Sequence, residues 1–418
     1  MRTLKYRLLA GLPLCFAISA DVVASTQDYT LEQVVVFSRH GLRAPLSTPS
    51  SALGKVTPDK WPQWDTPSSY LTTRGGALET YFGHYVGQWL VDNKLLKPDT
   101  CPTEKDVYFY ANSLQRTIAT AQFFSVGAFP GCIVPVYHKE KLGTMDATFN
   151  PIITDSSDAF KQHAIASINQ RAGTGGVTGL NQRLAASYQD MMKVIDYPKS
   201  ANCLQDKQCD LTTLPVSVNI VAGQESGVSG PLKVGTAIAD AFILQYYEGA
   251  PLSSVGWGKI KTDAQFAKLV AIKENYNSVV FSAPVVAKAV SAKLVSYIDD
   301  VFTHPTERAK FTFLVGHDSN VASLFSALGV KPYRLANQFE TTPIGGKVLF
   351  ERWQGPTGKP LMKIEYLYQT TDQIRDLREL NRVTPPARTV LELQGCPIDA
   401  QGYCPFDRFT SVLQAVMK

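Results

Sequence analysis

The chain has 418 residues, of which 44% are hydrophobic and 18% charged, a composition typical of a globular protein with a sizeable core. A chain of this length forms two domains, or one large domain with an insertion. Its formal net charge of +5 is too small for a nucleic-acid-binding protein, which normally carries a concentrated basic face. We therefore expect no nucleic-acid partner.

The first 24 residues have the pattern of a cleaved secretory signal. Arg2, Lys5 and Arg7 form a basic start, residues 8–20 are an apolar run, and residues 22–24 offer a cleavage site. The apolar run is too short to span a membrane, and no later stretch is apolar enough to do so. We predict a mature protein without a membrane anchor, exported to a bacterial periplasm. A buried N-terminal helix is the alternative.

Six of the seven cysteines remain once the signal is removed. An even number of cysteines in an exported protein predicts disulfides. Six cysteines allow fifteen pairings, and proximity in the sequence favours Cys101–Cys132, Cys203–Cys209 and Cys396–Cys404. A zinc site is the alternative, which is disfavoured because no Cys-x-x-Cys motif occurs and the histidines are scattered.

The first predicted strand, residues 34–37, ends in a polar turn that holds Arg39, His40 and Arg43. Four apolar residues in succession indicate a strand buried on both faces. Such a strand needs no cations, so the turn suggests an anion site in which His40 is a candidate nucleophile. A basic surface turn is the alternative.

A loop over residues 44–70 follows, and it carries Trp61 and Trp64. A loop of this length is either functional or a packed surface flap held by the tryptophans. Thr72 or Thr73 is predicted to cap the next helix. His84 lies beside the apolar face of that helix and is interpreted as structural.

A second buried strand is predicted over residues 107–111, and Ser113 is the expected N-cap of the helix after it. Arg116 then lies in the first turn, where the helix dipole disfavours a cation. A bound anion would reverse that effect, because helix N-termini attract phosphate. A solvated arginine is the alternative.

Residues 151–279 show helical patterns broken by glycine-rich stretches, which predicts an all-helical insertion between residues 25–150 and 280–418. Pro284 opens another helix. A third buried strand, residues 311–315, is followed by His317 and Asp318, and then by a helix over 321–328 with Ser319 or Asn320 as its cap. The remaining strands are predicted over residues 347–352, 362–368 and 389–393.

Three predicted strands thus end in unusual polar side chains: Arg39, His40 and Arg43 after the first, Arg116 after the second, and His317 and Asp318 after the third. If the strands are parallel neighbours, these side chains converge on one crevice at the carboxyl ends of the strands. Guanidinium groups bind phosphate oxygens in a forked manner, and they lower the pKa of a neighbouring histidine, which keeps it a neutral nucleophile. Asp318 can protonate a leaving alkoxide and then activate water, which predicts an acidic pH optimum.

Other chemistries fit less well. The adjacent residues His317, Asp318 and Ser319 cannot align as a triad, and neither a Gly-x-Ser-x-Gly elbow nor a nucleotide-binding P-loop occurs. No carboxylate–histidine cluster typical of a two-metal phosphatase is evident. We expect no metal and no cofactor. A phosphate-ester binding protein without turnover is disfavoured because it needs no nucleophile and acid.

The motif Arg-His-Gly-Leu-Arg-Ala-Pro at residues 39–45, together with His317-Asp318, resembles the signature of the histidine acid phosphatase family. The resemblance extends over essentially the whole mature chain. It implies a phosphoglycerate mutase-like fold, with a three-layer α/β domain around a central mixed sheet and a smaller inserted helical domain. It implies His40 as nucleophile and Asp318 as proton donor, and it implies phosphate binding by Arg39, Arg43, Arg116 and His317.

The resemblance also implies a substrate class, namely small sugar phosphates and glucose 1-phosphate first, with phytate as the alternative. Glu225 is implied as a contact for the sugar, and a loop glutamate in solvent is the alternative. Gly41 follows the wider family, in which glycine stands after the nucleophile. The resemblance defines no oligomeric state.

Overall fold

The computed structural model describes residues 29–47 and 51–418, so the predicted signal segment lies outside the described residues. The strands are β1 (Thr30–Arg39), β2 (Val107–Ala111), β3 (Val136–Tyr137), β4 (Val218–Asn219), β5 (Gly227–Val228), β6 (Phe311–Gly316), β7 (Lys347–Gln354), β8 (Pro360–Tyr368), β9 (Ala387–Val390) and β10 (Tyr403–Pro405). Eight of them form one mixed sheet in the order β10-β8-β7-β1-β6-β2-β3, with β9 paired to β8.

The centre of this sheet contains the three strands that were predicted to be parallel neighbours. Phe313 on β6 lies between Val36 on β1 and Phe109 on β2, and both pairings are parallel. The strands on the other side of β1 are antiparallel, as β7 pairs with β1, and β8 pairs with β7 and β9. The sequence prediction of the central strands is confirmed, and β9 begins two residues before the predicted start.

The helices are α1 (Thr73–Asp92), α2 (Gln115–Ala128), α3 (Asp158–Ala172), α4 (Gly176–Arg183), α5 (Ala185–Val194), α6 (Ala201–Leu204), α7 (Pro231–Tyr247), α8 (Asp263–Val280), α9 (Pro284–Thr303), α10 (Asp318–Ala327), α11 (Thr371–Arg375) and α12 (Phe406–Met417). Side chains alternate across the sheet. Val34 and Val36 pack with α1 and α2, whereas Val35 and Phe37 pack with α9, α10 and α12. Both faces of the sheet are therefore covered, which gives the predicted three layers.

Helices α3, α4, α5, α7 and α8 share one hydrophobic core. This region is not entirely helical, because the two-residue strands β4 and β5 pair within it. The division of the chain at residues 151 and 279 stays a prediction. The described part of the 44–70 loop packs on this region. Trp61 contacts Phe242 and Trp257, and its indole N–H donates to the carbonyl of Leu53. These contacts favour the interpretation of the loop as a packed flap.

The three predicted disulfides are present, as Cys101–Cys132, Cys203–Cys209 and Cys396–Cys404. Within residues 29–47 and 51–418, no helix by itself is both long and apolar enough to cross a membrane. In the part of the chain that the structure describes, one pair of helices, α8 and α9 with a bend of 80° between them, meets those requirements of length and composition when taken together.

A buried pair of carboxyl groups on the sheet gives a prediction about stability. Glu351 on β7 and Glu365 on β8 are almost inaccessible to solvent. Trp353 donates its indole N–H to Glu351 over 2.9 Å, and Arg388 pairs with Glu365. Burial, followed by the charge of Glu365, raises the pKa of Glu351 well above its usual value.

Because the folded-state pKa of Glu351 is raised, its contribution to stability is present at low pH and is lost as the pH rises through that pKa. We expect Glu351→Gln, which stays neutral, to increase the free energy of unfolding at pH 7 by about 1–3 kcal/mol. The difference from wild type should shrink below the ordinary glutamate pKa of about 4.3. Urea unfolding of both proteins at pH 7 and below the ordinary glutamate pKa measures the difference. An equal difference in the free energy of unfolding at the two pH values would contradict the prediction.

Candidate active site

The end of β1 holds His40 in a fixed position. The backbone N–H of His40 donates to the carbonyl of Gly316 at the end of β6, and the His40 carbonyl accepts from the N–H of Gly345. In the side chain, Nδ1 lies 2.8 Å from the carbonyl of Gly41. A carbonyl can only accept, so Nδ1 carries the hydrogen and the lone pair of Nε2 is free. Burial, followed by the charges of Arg116 and Arg43, lowers the pKa of His40 well below its usual value, so the ring is neutral.

Gly41, next to His40, is closely packed against a buried ion pair. A Cβ atom at this position would lie 3.0 Å from Cγ and Oε1 of Glu79. Glu79 pairs with the buried Lys347 over 2.8 Å, and Lys347 also donates to the carbonyl of Gly345. A larger residue after His40 would therefore have to displace Glu79, which explains the glycine that the sequence carries there.

The end of β2 brings Arg116 to the same crevice, in the first turn of α2 as predicted. The predicted cap is wrong, however. Ser113 lies before the helix and its hydroxyl accepts from the N–H of Glu140, so the helix starts at Gln115 after the extended residue Leu114. Burial, followed by the charge of Arg43, lowers the pKa of Arg116 to about 10, which leaves it a cation.

The end of β6 supplies His317 and Asp318. Helix α10 begins at Asp318 rather than at the predicted residue 321. The cause is Asn320, whose side-chain oxygen accepts from the N–H of His317 over 2.9 Å, so that the cap lies at His317 and not at Ser319 or Asn320. The rings of His40 and His317 lie 5.6 Å apart, centre to centre. The structure thus brings together the residues predicted from three separate strands.

The sequence interpretation missed three charged residues that support these side chains: Asp240 on α7, Lys273 on α8 and Glu340 in the loop before β7. Lys273 Nζ lies 2.6 Å from Glu340, 3.3 Å from Asp318 and 3.5 Å from Asp240. Asp240 and Lys273 interrupt otherwise apolar helical faces, which was a signal that could have been noticed. Glu340 had no comparable pattern around it.

Two of the three arginines are tied into this network. Arg39 donates to Glu340 over 3.0 Å and lies 3.6 Å from Asp318, and Arg43 pairs with Asp240 over 2.9 Å. Arg116 has no carboxylate partner among the described residues; the one hydrogen-bonding group near its guanidinium is His317, at 3.5 Å.

The site therefore contains four cations and three carboxylates: Arg39, Arg43, Arg116 and Lys273 against Asp240, Asp318 and Glu340. A surplus of positive charge in a partly enclosed crevice favours an anionic ligand. Burial alone would favour a neutral Asp318, but Arg39 and Lys273 outweigh it and hold the pKa of this carboxyl well below its usual value. Asp318 is thus ionised when the crevice contains no ligand.

Glu225 lies at the edge of the crevice, next to β5, in a segment that bridges to Ile152. Its side chain is exposed, yet it is close enough to Asp318 and Arg116 to interact electrostatically with both. The contact of Glu225 with a substrate stays a prediction.

A three-layer α/β fold that gathers arginines around a histidine at the ends of parallel strands defines the class of histidine phosphatases, which hydrolyse phosphomonoesters. The sequence profile of the histidine phosphatase superfamily (branch 2) matches residues 30–214 and 265–369. The chain belongs to this superfamily, as its motifs predicted.

Individual relatives cover nearly the full length of the chain. It is 48% identical to the glucose-1-phosphatase of Salmonella typhimurium over 405 residues, which are 96% of either chain. It is 47% identical to the glucose-1-phosphatase of Providencia rettgeri over 427 aligned positions, which cover 99% of this chain and 100% of that relative. The structure of the apo form of Hafnia alvei phytase superposes with a TM-score of 0.85 at 31% identity and covers 93% of this chain and 97% of the phytase.

Proposed function

We propose that this protein is a periplasmic acid phosphatase that hydrolyses glucose 1-phosphate and related sugar phosphates through a phosphohistidine at His40. The observation that carries the proposal is the free Nε2 lone pair of a neutral histidine surrounded by arginines that hold surplus positive charge. The two glucose-1-phosphatases at 48% and 47% identity support the choice of substrate. The disulfides support an oxidising compartment.

In the first step, Arg39, Arg43, Arg116 and His317 bind the non-bridging oxygens of the phosphoryl group. Nε2 of His40 attacks phosphorus, the bond to the sugar oxygen breaks, and Asp318 gives its proton to that oxygen. The arginines stabilise the charge on the moving phosphoryl group.

In the second step, Asp318 takes a proton from a water molecule as its oxygen attacks the phosphohistidine. The P–N bond breaks, phosphate leaves, and both the neutral His40 and the protonated Asp318 are restored. The sum of the two steps is one ester and one water converted to sugar and phosphate.

The first step requires a proton on Asp318, although the neighbouring cations hold the pKa of this carboxyl well below its usual value. A bound phosphate dianion offsets the positive charge of the arginines, and it must therefore raise the pKa of the Asp318 carboxyl. The substrate thus prepares its own proton donor. An acidic pH optimum follows because the proton is taken up when the anion binds.

Proton uptake gives a measurable prediction. Sulfate resembles a phosphate dianion but has no proton to give, so its binding at about pH 5, above the ordinary aspartate pKa of about 3.9, should take up a fraction of a proton per site. Titration calorimetry in two buffers of different ionisation enthalpy measures the uptake. The proton uptake should be clearly smaller in Asp318→Asn. Equal uptake by the variant and the wild type would contradict the proposal that Asp318 takes up the proton.

A phytase of the same family is the second candidate, because the fold is shared with Hafnia alvei phytase. We propose that Glu225 favours the smaller substrate, since an exposed carboxylate near Arg116 and Asp318 can bind sugar hydroxyls but repels additional phosphate groups. A wild-type kcat/KM that strongly favours phytate over glucose 1-phosphate would favour the phytase.

Glu225→Gln keeps the hydrogen-bonding oxygen and removes the charge. We expect its kcat/KM for phytate to rise about fivefold, the effect of roughly 1 kcal/mol of repulsion between partly exposed charges. Its kcat/KM for glucose 1-phosphate should change less than about threefold. Glu307→Gln, at an exposed position after α9, is the matched control. A loss on both substrates with an unchanged ratio would contradict the role of Glu225 in specificity.

The covalent intermediate tests the proposed function directly. Enzyme turning over glucose 1-phosphate with a labelled phosphoryl group is quenched in alkaline denaturant. The label is expected on the peptide that contains His40, stable to base and lost in acid, as a phosphohistidine requires. Acid-stable label on a serine would overturn the mechanism, as would turnover without a labelled enzyme.

A further inference from the structure

The side chain of Asn112, at the end of β2, is completely buried and has fixed partners. Its Oδ1 accepts hydrogen bonds from the backbone N–H groups of Ser113 and Asp146, each over 2.9 Å. Its Nδ2 lies 2.7 Å from Nε2 of His317 and 3.1 Å from the sulfur of Met145. A rotated amide would place donors against the two backbone N–H groups, so the NH2 group must face His317.

This orientation determines which nitrogen of His317 carries the hydrogen. Because the amide of Asn112 donates, Nε2 of His317 must accept, and in a neutral imidazole the hydrogen is then on Nδ1. The ring is neutral because burial, followed by the charge of Arg116, lowers the pKa of His317 well below its usual value.

The protonated nitrogen lies on the side of the ring that faces the arginine. Nδ1 of His317 is 3.5 Å from Nη2 of Arg116, and an N–H of Arg116 is directed toward it. A hydrogen on Nδ1 therefore sets two hydrogen-bond donors against each other. Two adjacent donors require a common acceptor, and an oxygen of a bound phosphoryl group provides one.

We propose that Asn112 is a positioning residue that fixes His317 in the Nδ1–H tautomer, so that His317 donates to a phosphoryl oxygen. This inference rests on the proposed function for the identity of the ligand. In the other tautomer a lone pair would face the phosphoryl oxygen, and an attractive contact would become repulsive. His40 is the counterpart: its Nδ1–H is bound to the carbonyl of Gly41, and its opposite nitrogen faces the substrate.

Nitrogen NMR of the protein labelled with ¹⁵N-histidine tests the tautomer without any need for turnover. The His317 signals are identified by their absence in His317→Asn. We expect a pyrrole-type shift for Nδ1 and a pyridine-type shift for Nε2, with and without bound sulfate. The reverse pattern would overturn the inference. Failure of the proposed function would instead appear as a missing phosphohistidine at His40.

Asn112→Asp retains acceptors for the N–H groups of Ser113 and Asp146 but faces His317 with an oxygen. We expect a hydrogen to move to Nε2 of His317, and KM for glucose 1-phosphate and Kd for sulfate to rise about tenfold or more, the effect of one hydrogen bond to a charged group. A pyridine-type Nε2 in this variant would overturn the inference.

The control is Thr117→Val, which removes the hydroxyl that donates to the backbone carbonyl of Asn112 and leaves the side-chain amide in place. It should leave the tautomer and sulfate binding unchanged. If Thr117→Val weakened sulfate binding and changed the tautomer as much as Asn112→Asp, the cause would be a disturbed end of β2 and not the side-chain amide, which would overturn the inference.

If Asn112→Asp does not fold, two variants of His317 decide the matter. Asparagine places its NH2 group near the position of Nδ1, and glutamine places its NH2 group near Nε2. His317→Asn should bind sulfate about tenfold more tightly than His317→Gln, the value of roughly one hydrogen bond to an anion. The opposite order would overturn the inference.

Discussion

His40→Ala is expected to lower kcat/KM for glucose 1-phosphate by a factor on the order of 10⁴ to 10⁶. Without the imidazole, the described residues of the crevice offer no other free nitrogen nucleophile. Their nitrogens belong to guanidinium groups, to the ammonium group of Lys273, or to His317, whose Nε2 faces Asn112. Steady-state kinetics measures the loss, and the labelled intermediate should disappear with it.

The matched control for this variant is His84→Ala. His84 is exposed on α1, and its one hydrogen-bond partner among the described residues is Gln88. Its removal should leave kcat/KM unchanged. In His40→Ala, sulfate should still bind, since all three arginines remain, so a loss of activity with sulfate binding retained separates chemistry from misfolding. Activity within about tenfold of wild type would contradict His40 as the nucleophile.

The sheet and the primary residues of the site could be predicted because their patterns are local. A run of apolar residues followed by a charged turn indicates a buried strand and a polar end, and parallel strands bring their ends together. Arg39, His40 and His317 were found in this way. Thr72 was predicted as a helix cap for the same kind of reason, and its side chain accepts from the N–H of Gly75.

The positions of Asp240 and Lys273 on apolar helical faces marked them as unusual, but the role of the supporting residues could not be predicted because it exists only in three dimensions. Asp240, Lys273 and Glu340 lie on three different elements. Each becomes meaningful only when folding places it beside its partners: Arg43 for Asp240, Asp318 for Lys273 and Arg39 for Glu340. The caps at Ser113 and Ser319 were wrong for a related reason. Suitable residue types were present, but Ser113 is engaged by the distant Glu140, and Asn320 caps from inside its helix.

The charge state of Asp318 is the clearest case of this limit. A carboxyl group next to a histidine in a motif indicates a general acid, and nothing in the local sequence shows that it is ionised at rest. The structure adds Arg39 at 3.6 Å and Lys273 at 3.3 Å, and these cations hold the pKa of Asp318 well below its usual value against the effect of burial. In the proposed mechanism the proton donor exists only in the complex, which predicts that the effect of removing it depends on the leaving group.

Asp318→Asn is expected to lower kcat/KM for glucose 1-phosphate by about 10² to 10⁴, because asparagine has the same size but cannot deliver a proton to the sugar oxygen. The kcat/KM of this variant for p-nitrophenyl phosphate, whose phenolate leaves without a proton, should fall less than about tenfold. The comparison uses kcat/KM because this quantity ends with formation of the phosphohistidine. With p-nitrophenyl phosphate the variant should also show a burst of nitrophenol, since the base that activates water in the second step is missing as well.

Asp158→Asn is the matched control, since Asp158 also lies in the first turn of a helix but is exposed on α3. This variant should have the wild-type kcat/KM for both substrates. Equal losses on glucose 1-phosphate and p-nitrophenyl phosphate in Asp318→Asn would mean that the carboxylate acts by holding Arg39 in place and not by proton transfer. A larger loss of kcat/KM on glucose 1-phosphate than on p-nitrophenyl phosphate would instead indicate proton transfer. Together with reduced proton uptake on sulfate binding, it would identify Asp318 as a carboxyl group that is charged in the free enzyme and becomes an acid when the phosphate binds.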